Sequence, residues 1–305
     1  MVKLYNSFNI KQFHKKSIIL IGNFDGLHLG HQKLFKLANK FKNKYRLKIG
    51  VINFDPMPKM FFDNSLKNFK LSNLNQKIDL LNNFGVDFII TKKFDKKFSK
   101  TKSENFIKNI LFQKVNAKFI FVSNNFRFGN KREGNVKLLI KNEKKFQYKV
   151  VKPKPLLIDK KIVSSSLIRK LLEKGNLVMA NKLLNRNWSI EGVVKKGRQI
   201  GKKIGFPTCN IDIENYVLAK PGVYAVKVKR DNKSKHLKGI ANLGYRPTFN
   251  QRKILLEVHL FSFSGNLYNK YLSVDFLKFI RKERKFKNID ELKIQIKKDL
   301  NIAKN

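Results

Sequence analysis

The apolar residues of this chain follow two different patterns, and the change from one to the other near Asn185 constrains the fold more than any other feature. Before it, short apolar runs alternate with stretches of helical periodicity, which is typical of βαβ units and predicts a parallel sheet. After it, short β-branched runs are separated by Gly, Pro and Asn, which predicts a small antiparallel barrel. We therefore expect an α/β domain over residues 1–184 and a β-barrel domain over residues 185–305.

The periodicity also gives approximate bounds for the elements. Strands are predicted at residues 17–22, 47–54, 86–91, 118–123 and 147–151. Helices are predicted between them at residues 29–41, 75–84, 103–112 and 134–145, with a further helix pair at 164–174 and 177–184. In the last stretch, residues 288–303, the apolar residues share one helical face, which predicts a helix packed on the barrel.

Composition restricts the partners that the chain is expected to have. Lys and Arg number 67 against 21 Asp and Glu, for a formal net charge of +46, which by itself would suggest a polyanionic partner. The lysines are spread along the whole chain, however, and accompany an excess of Asn, Ile and Phe. All four residue types use A/T-rich codons, so a mutational bias explains the composition at least as well. We therefore expect no specific nucleic-acid partner.

Cysteine content and hydropathy indicate the compartment. Cys209 is the single cysteine, so no intramolecular disulfide can form, and the five histidines show no zinc-finger spacing. The apolar run at residues 18–21 is too short for a signal-peptide core, and no stretch approaches ~18 consecutive apolar residues. We expect a cytoplasmic protein that does not span a membrane.

Residues 22–32, GNFDGLHLGHQ, place a glycine-containing turn between a predicted strand and a predicted helix. Free backbone N–H groups and the helix dipole favour phosphate at such a helix N-terminus. His28 and His31 are three residues apart, so both rings can lie on one side and donate to the same phosphate oxygens. Either histidine alone would more often be an ordinary surface or core residue, but the pair around Gly30 predicts an ATP site.

The His28 to His31 arrangement resembles the H-x-G-H motif of the nucleotidyltransferase superfamily. The whole 22–32 segment is similar to that of the bacterial bifunctional riboflavin kinase/FMN adenylyltransferase family. Three further segments resemble the same family, namely NFDPMP at 53–58, FVSNNFRFGNKREG at 121–134 and VSSSLIR at 163–169. Ser123, Asn125 and Ser166 stand where that family has Gly, Asp and Thr. The resemblance implies a Rossmann-like nucleotidyltransferase domain with a parallel sheet.

The resemblance also implies a reaction and a set of site residues for the first half. The phosphate of FMN would attack the α-phosphorus of ATP in line, so the task of the enzyme is to position the reactants and neutralise negative charge. Arg169 would pair with the β- and γ-phosphates. The implied catalytic residues are His28 and His31, and the implied nucleotide-binding residues are Gly22, Asn23, Phe24, Asp25, Gly30, Asn125, Ser164, Ser165 and Arg169.

The second half contains GRQIGKKIGFPTCNI at residues 197–211. It is not a P-loop, because its glycine spacing is one residue too short, Lys203 stands where Ser or Thr is required, and no helix pattern follows. It resembles instead the riboflavin kinase signature G-x-P-T-x-N. The signature residues are Gly205, Pro207, Thr208 and Asn210. In an extended stretch the oxygens of Thr208 and Asn210 point to one face, and with ATP phosphates and waters they would fill an octahedral Mg²⁺ shell.

Glu257 lies in an otherwise apolar run, where an isolated carboxylate needs a reason. The resemblance implies that Glu257 is the general base, which takes the proton from the riboflavin 5′-hydroxyl as that oxygen attacks the γ-phosphate. A salt bridge to one of the many lysines is the alternative. FLKFIRKERKF at 276–286 resembles the family's F-x-R-x-E-x-x-F region beside the flavin, and we assign no catalytic residue there.

Three functions remain open at this point. The leading prediction is an enzyme that uses ATP and Mg²⁺ to convert riboflavin to FMN in the barrel and FMN to FAD in the α/β domain. The second is a riboflavin kinase whose adenylyltransferase half is silenced by the substitutions at Ser123, Asn125 and Ser166. The third is a basic RNA-binding protein on a nucleotidyltransferase scaffold, which requires a clustering of basic residues that the sequence does not show. The oligomeric state is left open.

Overall fold

The chain forms two compact units in the computed structural model, which describes residues 2–197, 199–213, 215–230, 235–247 and 252–304. The first unit comprises Met1–Lys67 and Leu74–Ser164, and the second comprises Asn68–Asn73 and Ser165–Asn305. The second unit therefore includes a short piece of chain from the first half of the sequence.

The first unit is built around a parallel sheet. In chain order its strands are β1 (Lys3–Tyr5), β2 (Ile18–Ile21), β3 (Ile49–Asp55), β4 (Phe88–Lys93), β5 (Phe119–Phe121), β6 (Arg127–Phe128), β7 (Gly134–Asn135), β8 (Lys149–Val151), β9 (Leu157–Ile158) and β10 (Lys161–Ile162). Its α-helices are α1 (Leu29–Tyr45), α2 (Pro58–Phe62), α3 (Leu74–Asn83), α4 (Lys96–Ser99), α5 (Ser103–Asn105), α6 (Val136–Lys141) and α7 (Glu143–Phe146). A π-helix spans Phe106–Lys114, and 3₁₀ turns occupy Gln12–His14, Asp25–Leu27 and Asn130–Arg132.

The order of the strands determines where this sheet can bind a ligand. The order is β1-β4-β3-β2-β5-β8, and all neighbouring strands are parallel. From β2 the chain builds outward through β3 and β4, and then returns to the other side of β2 for β5 and β8. Open α/β sheets bind ligands at the carboxyl ends of the strands where the order reverses in this way. The predicted Rossmann-like fold is confirmed, and its ligand edge lies beyond the ends of β2 and β5.

Helices cover both faces of the sheet. Ile18 and Leu20 of β2 pack in one apolar cluster with residues of α1 and α3, whereas Ile19 and Ile21 pack in another with residues of the π-helix and α6. Full burial of a side chain of this size contributes about 1.5–3 kcal/mol. Burial on both faces explains why β2 consists of four consecutive apolar residues and does not alternate with polar ones.

The second unit is a closed antiparallel barrel with helices. Its strands are β11 (Trp188–Lys195), β12 (Cys209–Asp212), β13 (Gly222–Lys229), β14 (Leu237–Pro247), β15 (Arg252–Leu260) and β16 (Tyr271–Arg281), and its helices are α8 (Ser165–Glu173), α9 (Leu177–Leu184), α10 (Ile200–Lys203) and α11 (Ile289–Lys304). The barrel closes in the order β11-β12-β15-β14-β13-β16. The rings of Trp188 and Tyr224 both contact Phe276 in its interior. The predicted barrel and its C-terminal helix are confirmed.

Asn68–Asn73, which we call the inserted segment, is bonded into the second unit although its chain neighbours belong to the first. The Trp188 indole N–H donates to the Leu71 carbonyl at 3.0 Å. Arg169 donates its Nε–H to the Phe69 carbonyl at 2.7 Å, and its guanidinium lies 3.6 Å from the centroid of the Phe69 ring. The buried tryptophan of the barrel therefore depends on a piece of chain that precedes it by more than a hundred residues.

Several observed bounds differ from the predicted ones. The helix predicted at residues 103–112 is α5 followed by the π-helix, and the helix predicted at 134–145 is divided into α6 and α7. Strand β1 is too short to give a periodic signal. The compact units divide the chain at Ser165, so that α8 and α9 belong to the second unit. The predicted border between the two activities, near residue 185, stays a prediction. No helix within the described ranges is long and apolar enough to cross a membrane.

Candidate active sites

The turn between β2 and α1 forms the first candidate site. The Gly22 amide extends the pairing with β3 beyond β2, donating at 3.1 Å. Phe24, with φ of 46°, and Gly26, with φ of 76°, then reverse the chain. His28 caps α1, since its Nδ1 accepts a hydrogen bond from the backbone N–H of His31 at 3.4 Å. The N-terminus of a long helix thus lies at the ligand edge of the sheet, where it favours an anion.

The two histidine rings lie against each other at this turn. Their centroids are 3.7 Å apart and their planes are inclined by 20°. A Cβ at position 30 would lie 3.1 Å from Cε1 and Nδ1 of His28 and 3.2 Å from the Val163 carbonyl oxygen. Gly30 therefore leaves space for the His28 ring, and Val163 brings the start of the VSSSLIR segment against the start of α1. Two of the segments singled out in the sequence meet here.

His31 is electrostatically unusual. Burial lowers its pKa well below the ordinary value of 6.5, and His28 and Lys77 lower it further. The ring is therefore neutral near pH 7, with one N–H donor and one acceptor nitrogen. Its Nδ1 is buried and has no hydrogen-bond partner in the described part of the chain. Since buried polar atoms are nearly always paired, this nitrogen is a candidate contact for a ligand.

Lys77 is a residue of this neighbourhood that sequence reasoning misses. It lies on α3, which packs against the Asp25–Leu27 turn, and its side chain is buried. Lysine is almost never buried without a specific reason, and here its charge acts on His31. A signal was present in the sequence, because Lys77 is four residues before Leu81 and so shares the buried face of the helix.

Asn53 lies near the end of β3, the strand beside β2. It is 1% exposed, and its Oδ1 has no hydrogen-bond partner among the residues described. The NFDPMP segment to which it belongs is predicted to line the flavin or nucleotide side of the cleft. A buried amide oxygen without a partner carries a desolvation cost of about 1–3 kcal/mol, which a donor from a bound substrate would offset.

The loop after β5 carries Asn125 on the other side of the strand-order reversal. The Ser123 hydroxyl donates to Asn125 Oδ1 at 2.9 Å. The two residues that depart from the family pattern in this loop are therefore bonded to each other. The rings of Phe126 and Phe128 stack with centroids 5.4 Å apart, and Gly129, with φ of 77°, approaches α5 more closely than a side chain would allow. Asn125 is exposed, which leaves its amide accessible.

The serine-rich segment is shared between the two units. Ser164 ends the first unit, and Ser165 begins α8 in the second. Arg169 of α8 holds Phe69 of the inserted segment through the hydrogen bond and ring contact described above. The structure thus gives Arg169 a structural contact, and its pairing with ATP phosphates stays a prediction.

A row of polar side chains across three barrel strands forms the second candidate site. Asn210 on β12 faces Glu257 on β15, and Glu257 faces Asn242 on β14. Leu256, the chain neighbour of Glu257, is completely buried. Because side chains alternate along a strand, the polar row lies on the face opposite to the apolar interior. Thr208, two residues before Asn210, is placed toward the same side.

Two cavities lie beside this row and share Thr208 as a lining residue. The first, of about 320 Å³, lies between the barrel strands, residues 199–206 and α11, and Thr208, Asn210 and Glu257 all line it. The FLKFIRKERKF segment also contributes four residues to its wall, namely Arg281, Glu283, Arg284 and Phe286. The second cavity, of about 380 Å³, is lined by Pro207, Thr208 and the 263–268 loop. Since Thr208 lines both, two ligands bound in these cavities would meet beside it.

Asn210 is tightly constrained within the row. It is 6% exposed, and its Oδ1 has no hydrogen-bond partner in the ranges described. A Cβ at position 197 would lie 1.9 Å from its Nδ2, so Gly197 is required for this position of the amide. Gly205 adopts a left-handed φ of 89°, and the Pro207 carbonyl accepts a hydrogen bond from Nδ1 of His259 at 2.8 Å. The signature segment thus holds, at the wall of the cavity, a buried amide oxygen without a partner in the described part of the chain.

Two family models match the chain in consecutive order. The model described as FAD synthetase matches residues 10–167, and the model described as riboflavin kinase matches residues 184–305. The first match contains the turn with the histidine pair, and the second contains the polar row of the barrel.

Curated proteins that share one name are similar to this chain over nearly its whole length. The bifunctional riboflavin kinase/FMN adenylyltransferase of Buchnera aphidicola subsp. Schizaphis graminum is 41% identical, over 97% of this chain and 96% of its own. The protein of that name from Escherichia coli strain K12 is 35% identical over 95% and 93%. That of Listeria monocytogenes is 34% identical over 92% and 90%.

A solved structure from Streptococcus pneumoniae, titled a macrolide-efflux protein, has a similar fold. Its TM-score is 0.88 at 27% identity, covering 100% of this chain and 99% of that one. This title disagrees with the name shared by the sequence relatives. The family models and the relatives carry more weight for function, because they agree with one another and the relatives are more similar in sequence.

Proposed function

The chain belongs to the family of bifunctional riboflavin kinase/FMN adenylyltransferases, and we propose that each of its two reactions uses one of the sites described above. As a member of this family it phosphorylates riboflavin to FMN with ATP, and it adenylylates FMN to FAD with release of pyrophosphate. The observation that carries the assignment of residues is the polar row in the barrel, where a carboxylate and a buried amide oxygen without a partner in the described ranges lie opposite each other.

For the kinase reaction, Glu257 acts as the general base. The riboflavin 5′-hydroxyl gives its proton to the Glu257 carboxylate while its oxygen bonds to the γ-phosphorus of ATP, and the bond to the ADP oxygen breaks. The cavity beside Phe286 takes riboflavin, and the cavity beside Pro207 takes ATP. This arrangement is supported by Thr208, which lines both cavities, so that the γ-phosphate and the hydroxyl meet next to Glu257.

Mg²⁺ fits the donor set at Thr208 and Asn210. The Asn210 Oδ1 is a buried neutral oxygen that lacks a protein partner in the described part of the chain, and the Thr208 hydroxyl, two residues earlier, is placed toward the same side. Neutral oxygens combined with phosphates and water suit this hard cation. When bound, the metal would neutralise negative charge on the phosphates. The chain itself holds the two oxygens in place through Gly197 and the strand pairing of β12.

For the adenylyltransferase reaction, the turn at residues 22–32 holds ATP. An FMN phosphate oxygen bonds to the α-phosphorus of ATP, and pyrophosphate leaves. His28 accepts a hydrogen bond at Nδ1, so in its neutral form the proton is on Nε2, from which it donates to a phosphate oxygen. The neutral His31 also donates to a phosphate oxygen. The turn itself is formed by Gly22, Asn23, Phe24, Asp25 and Gly30. Asn125, Ser164, Ser165 and Arg169 complete the proposed nucleotide-binding set.

We further propose that the protein acts in the cytoplasm on small molecules, without a specific nucleic-acid partner or a membrane. The single cysteine and the even spread of lysines support this proposal.

A single incubation tests the function. Purified protein with riboflavin, ATP and Mg²⁺ is expected to form FMN and then FAD, separated by chromatography. FMN without FAD would favour the kinase-only alternative. No flavin turnover would contradict both, and binding of RNA at physiological salt would then favour the third function.

A further inference from the structure

Among the residues described in helix α11, a single one is buried, and it is acidic. Asp299 is 1% exposed, whereas the apolar side chains of Leu292 and Ile296 are only partly buried. A helix docked on a barrel usually buries its apolar stripe. Here Leu292 and Ile296 line the 320 Å³ cavity instead. The attachment of this helix to the barrel therefore depends strongly on Asp299.

The Asp299 carboxylate accepts three hydrogen bonds from the guanidinium of Arg281 on β16. Arg281 donates from Nε to both carboxylate oxygens at 3.0 Å and from Nη2 to Oδ2 at 2.8 Å. Gln295, one turn earlier on α11, donates to Asp299 Oδ1 at 2.7 Å. A planar guanidinium held by a carboxylate in this way has a fixed orientation.

Arg281 faces the cavity from a segment that is tightly packed on the barrel. The guanidinium lines the cavity together with Glu283, and Glu283 accepts a hydrogen bond from Asn242 Nδ2 at 3.2 Å. A Cβ at Gly244 would lie 1.9 Å from Glu283 Oε1. The backbone of β14 thus supports the carboxylate of Glu283, while Asp299 supports the guanidinium of Arg281 from the side of the helix.

We propose that Asp299 is a positioning residue for the riboflavin kinase reaction, acting through Arg281 to fix one wall of the riboflavin cavity. The proposal rests on the assignment of that cavity to riboflavin. Nη1 of Arg281 also donates to the Lys282 carbonyl at 3.0 Å, which fixes the guanidinium further, and the N–H groups that remain on Nη1 and Nη2 donate to the oxygens of the substrate. It also ties α11 to the barrel, so that Leu292 and Ile296 present an apolar surface to the flavin ring. Glu257 and Asn210 are carried by other strands, so Asp299 acts on binding and not on the chemical step.

The test compares Asp299→Asn with Asp290→Asn, a matched control at an exposed position of the same helix. We expect Asp299→Asn to raise the KM for riboflavin roughly tenfold, as expected from loss of one charge-assisted contact, with kcat unchanged. FMN adenylylation, measured on supplied FMN in the same preparation, should be unaffected. Asp290→Asn should match the wild type in all three quantities.

A double variant keeps the test informative if Asp299→Asn does not fold. Replacing a buried ion pair by apolar residues of similar volume is often neutral for stability, so Arg281→Met with Asp299→Leu should fold and keep α11 attached. It lacks the oriented guanidinium and should show the same raised KM. Adding Asp299→Asn to Arg281→Met should change KM no further, because Asp299 acts only through Arg281.

Three results would overturn the proposal. They are a wild-type riboflavin KM in folded Asp299→Asn, a loss of kcat without a change of KM, and a wild-type KM in the apolar double variant. Absence of FMN formation by the wild-type enzyme would instead contradict the function itself, so the two failures are distinguishable.

Discussion

Asn210 and Glu257 are directly opposite each other on neighbouring strands of the barrel, and both line the same cavity. This pairing places the proposed general base next to the proposed metal ligand. We predict that Glu257→Gln lowers kcat for FMN formation by about 10²–10⁴, the range expected for loss of a general base. FAD formation from supplied FMN should be unchanged. Glu173→Gln on the exposed side of α8 is the control, and equal kinase rates in the two variants would contradict the role of Glu257.

Removal of the buried amide oxygen should weaken Mg²⁺ binding in one reaction only. We predict that Asn210→Ala raises the Mg²⁺ concentration needed for half-maximal kinase activity by roughly tenfold, because one oxygen of the shell is lost. A Mg²⁺ titration of both activities in the same preparation measures this. An equal shift in the adenylyltransferase titration would show that the substitution acts on the protein as a whole and not on this metal site, and would contradict the prediction.

The histidine pair should control only the second reaction. We predict that His31→Ala lowers FAD formation by at least about 10²-fold, since a donor to transition-state charge is lost, and that it leaves FMN formation intact. His14→Ala is the control, because His14 is also buried but lies before β2, at the opposite end of the strand. If His31→Ala made FAD at the wild-type rate, the phosphate site would be misplaced.

A methyl group at position 30 should disturb the same site by contact alone. In Gly30→Ala the new Cβ would lie 3.1 Å from the His28 ring and 3.2 Å from the Val163 carbonyl, so the ring must shift by a few tenths of an ångström. We predict a loss of FAD formation of about tenfold with little change in thermal stability. Lys36→Ala, at an exposed position of the same helix, α1, is the control and should leave FAD formation unchanged.

His31, whose Nδ1 is buried, should make the first unit sensitive to acid. Its pKa in the folded protein lies well below 6.5, its ordinary value, so on acidification the unfolded chain takes up a proton before the folded one does. The free energy of unfolding therefore falls as the pH decreases below 6.5. Once the pH is below the pKa of His31 in the folded protein, His31 causes no further loss. Each tenfold difference in proton affinity between the unfolded and folded chain contributes about 1.4 kcal/mol to this loss. His14, whose pKa is also lowered by burial, acts in the same direction.

Denaturant titrations between about pH 7 and about pH 5 measure this dependence. The wild type should lose stability over this range, and His31→Gln should lose less of it because Gln does not titrate. An identical pH dependence in both proteins would show that His31 does not contribute. FAD formation itself should persist below pH 6.5, since the folded protein keeps the ring neutral there.

The fold class was predictable because its signals are local. The apolar run before Gly22 and the periodic residues after Leu29 predict strand, turn and helix, and the observed β2 and α1 follow them. The Thr208 and Asn210 placement likewise follows from alternation along a strand. The position of Asn210 opposite Glu257 requires the pairing of β12 with β15, which no local pattern indicates.

Other features depend on contacts between distant parts of the chain. Nothing in the pattern around Phe69 indicates that Arg169 will hold it a hundred residues later. The Asn53 oxygen that lacks a partner among the described residues and the burial of Lys77 are likewise consequences of packing. The sequence pattern indicates only the second of these, through the position of Lys77 on the apolar face of its helix. The burial of Asp299 could not be predicted from the sequence, because an aspartate near the end of a helix usually lies in solvent.

The inserted segment has a consequence for how the two activities could ever be separated. Trp188 in the barrel donates its indole N–H to the Leu71 carbonyl. Leu74–Ser164 of the first unit lies between these two residues in the sequence. A protease cut or a gene split at a single point near residue 185 would leave the barrel without that acceptor and without α8 and α9. The two halves are therefore interlaced along the chain, and a freestanding kinase derived from it would need a substitute for the lost segment.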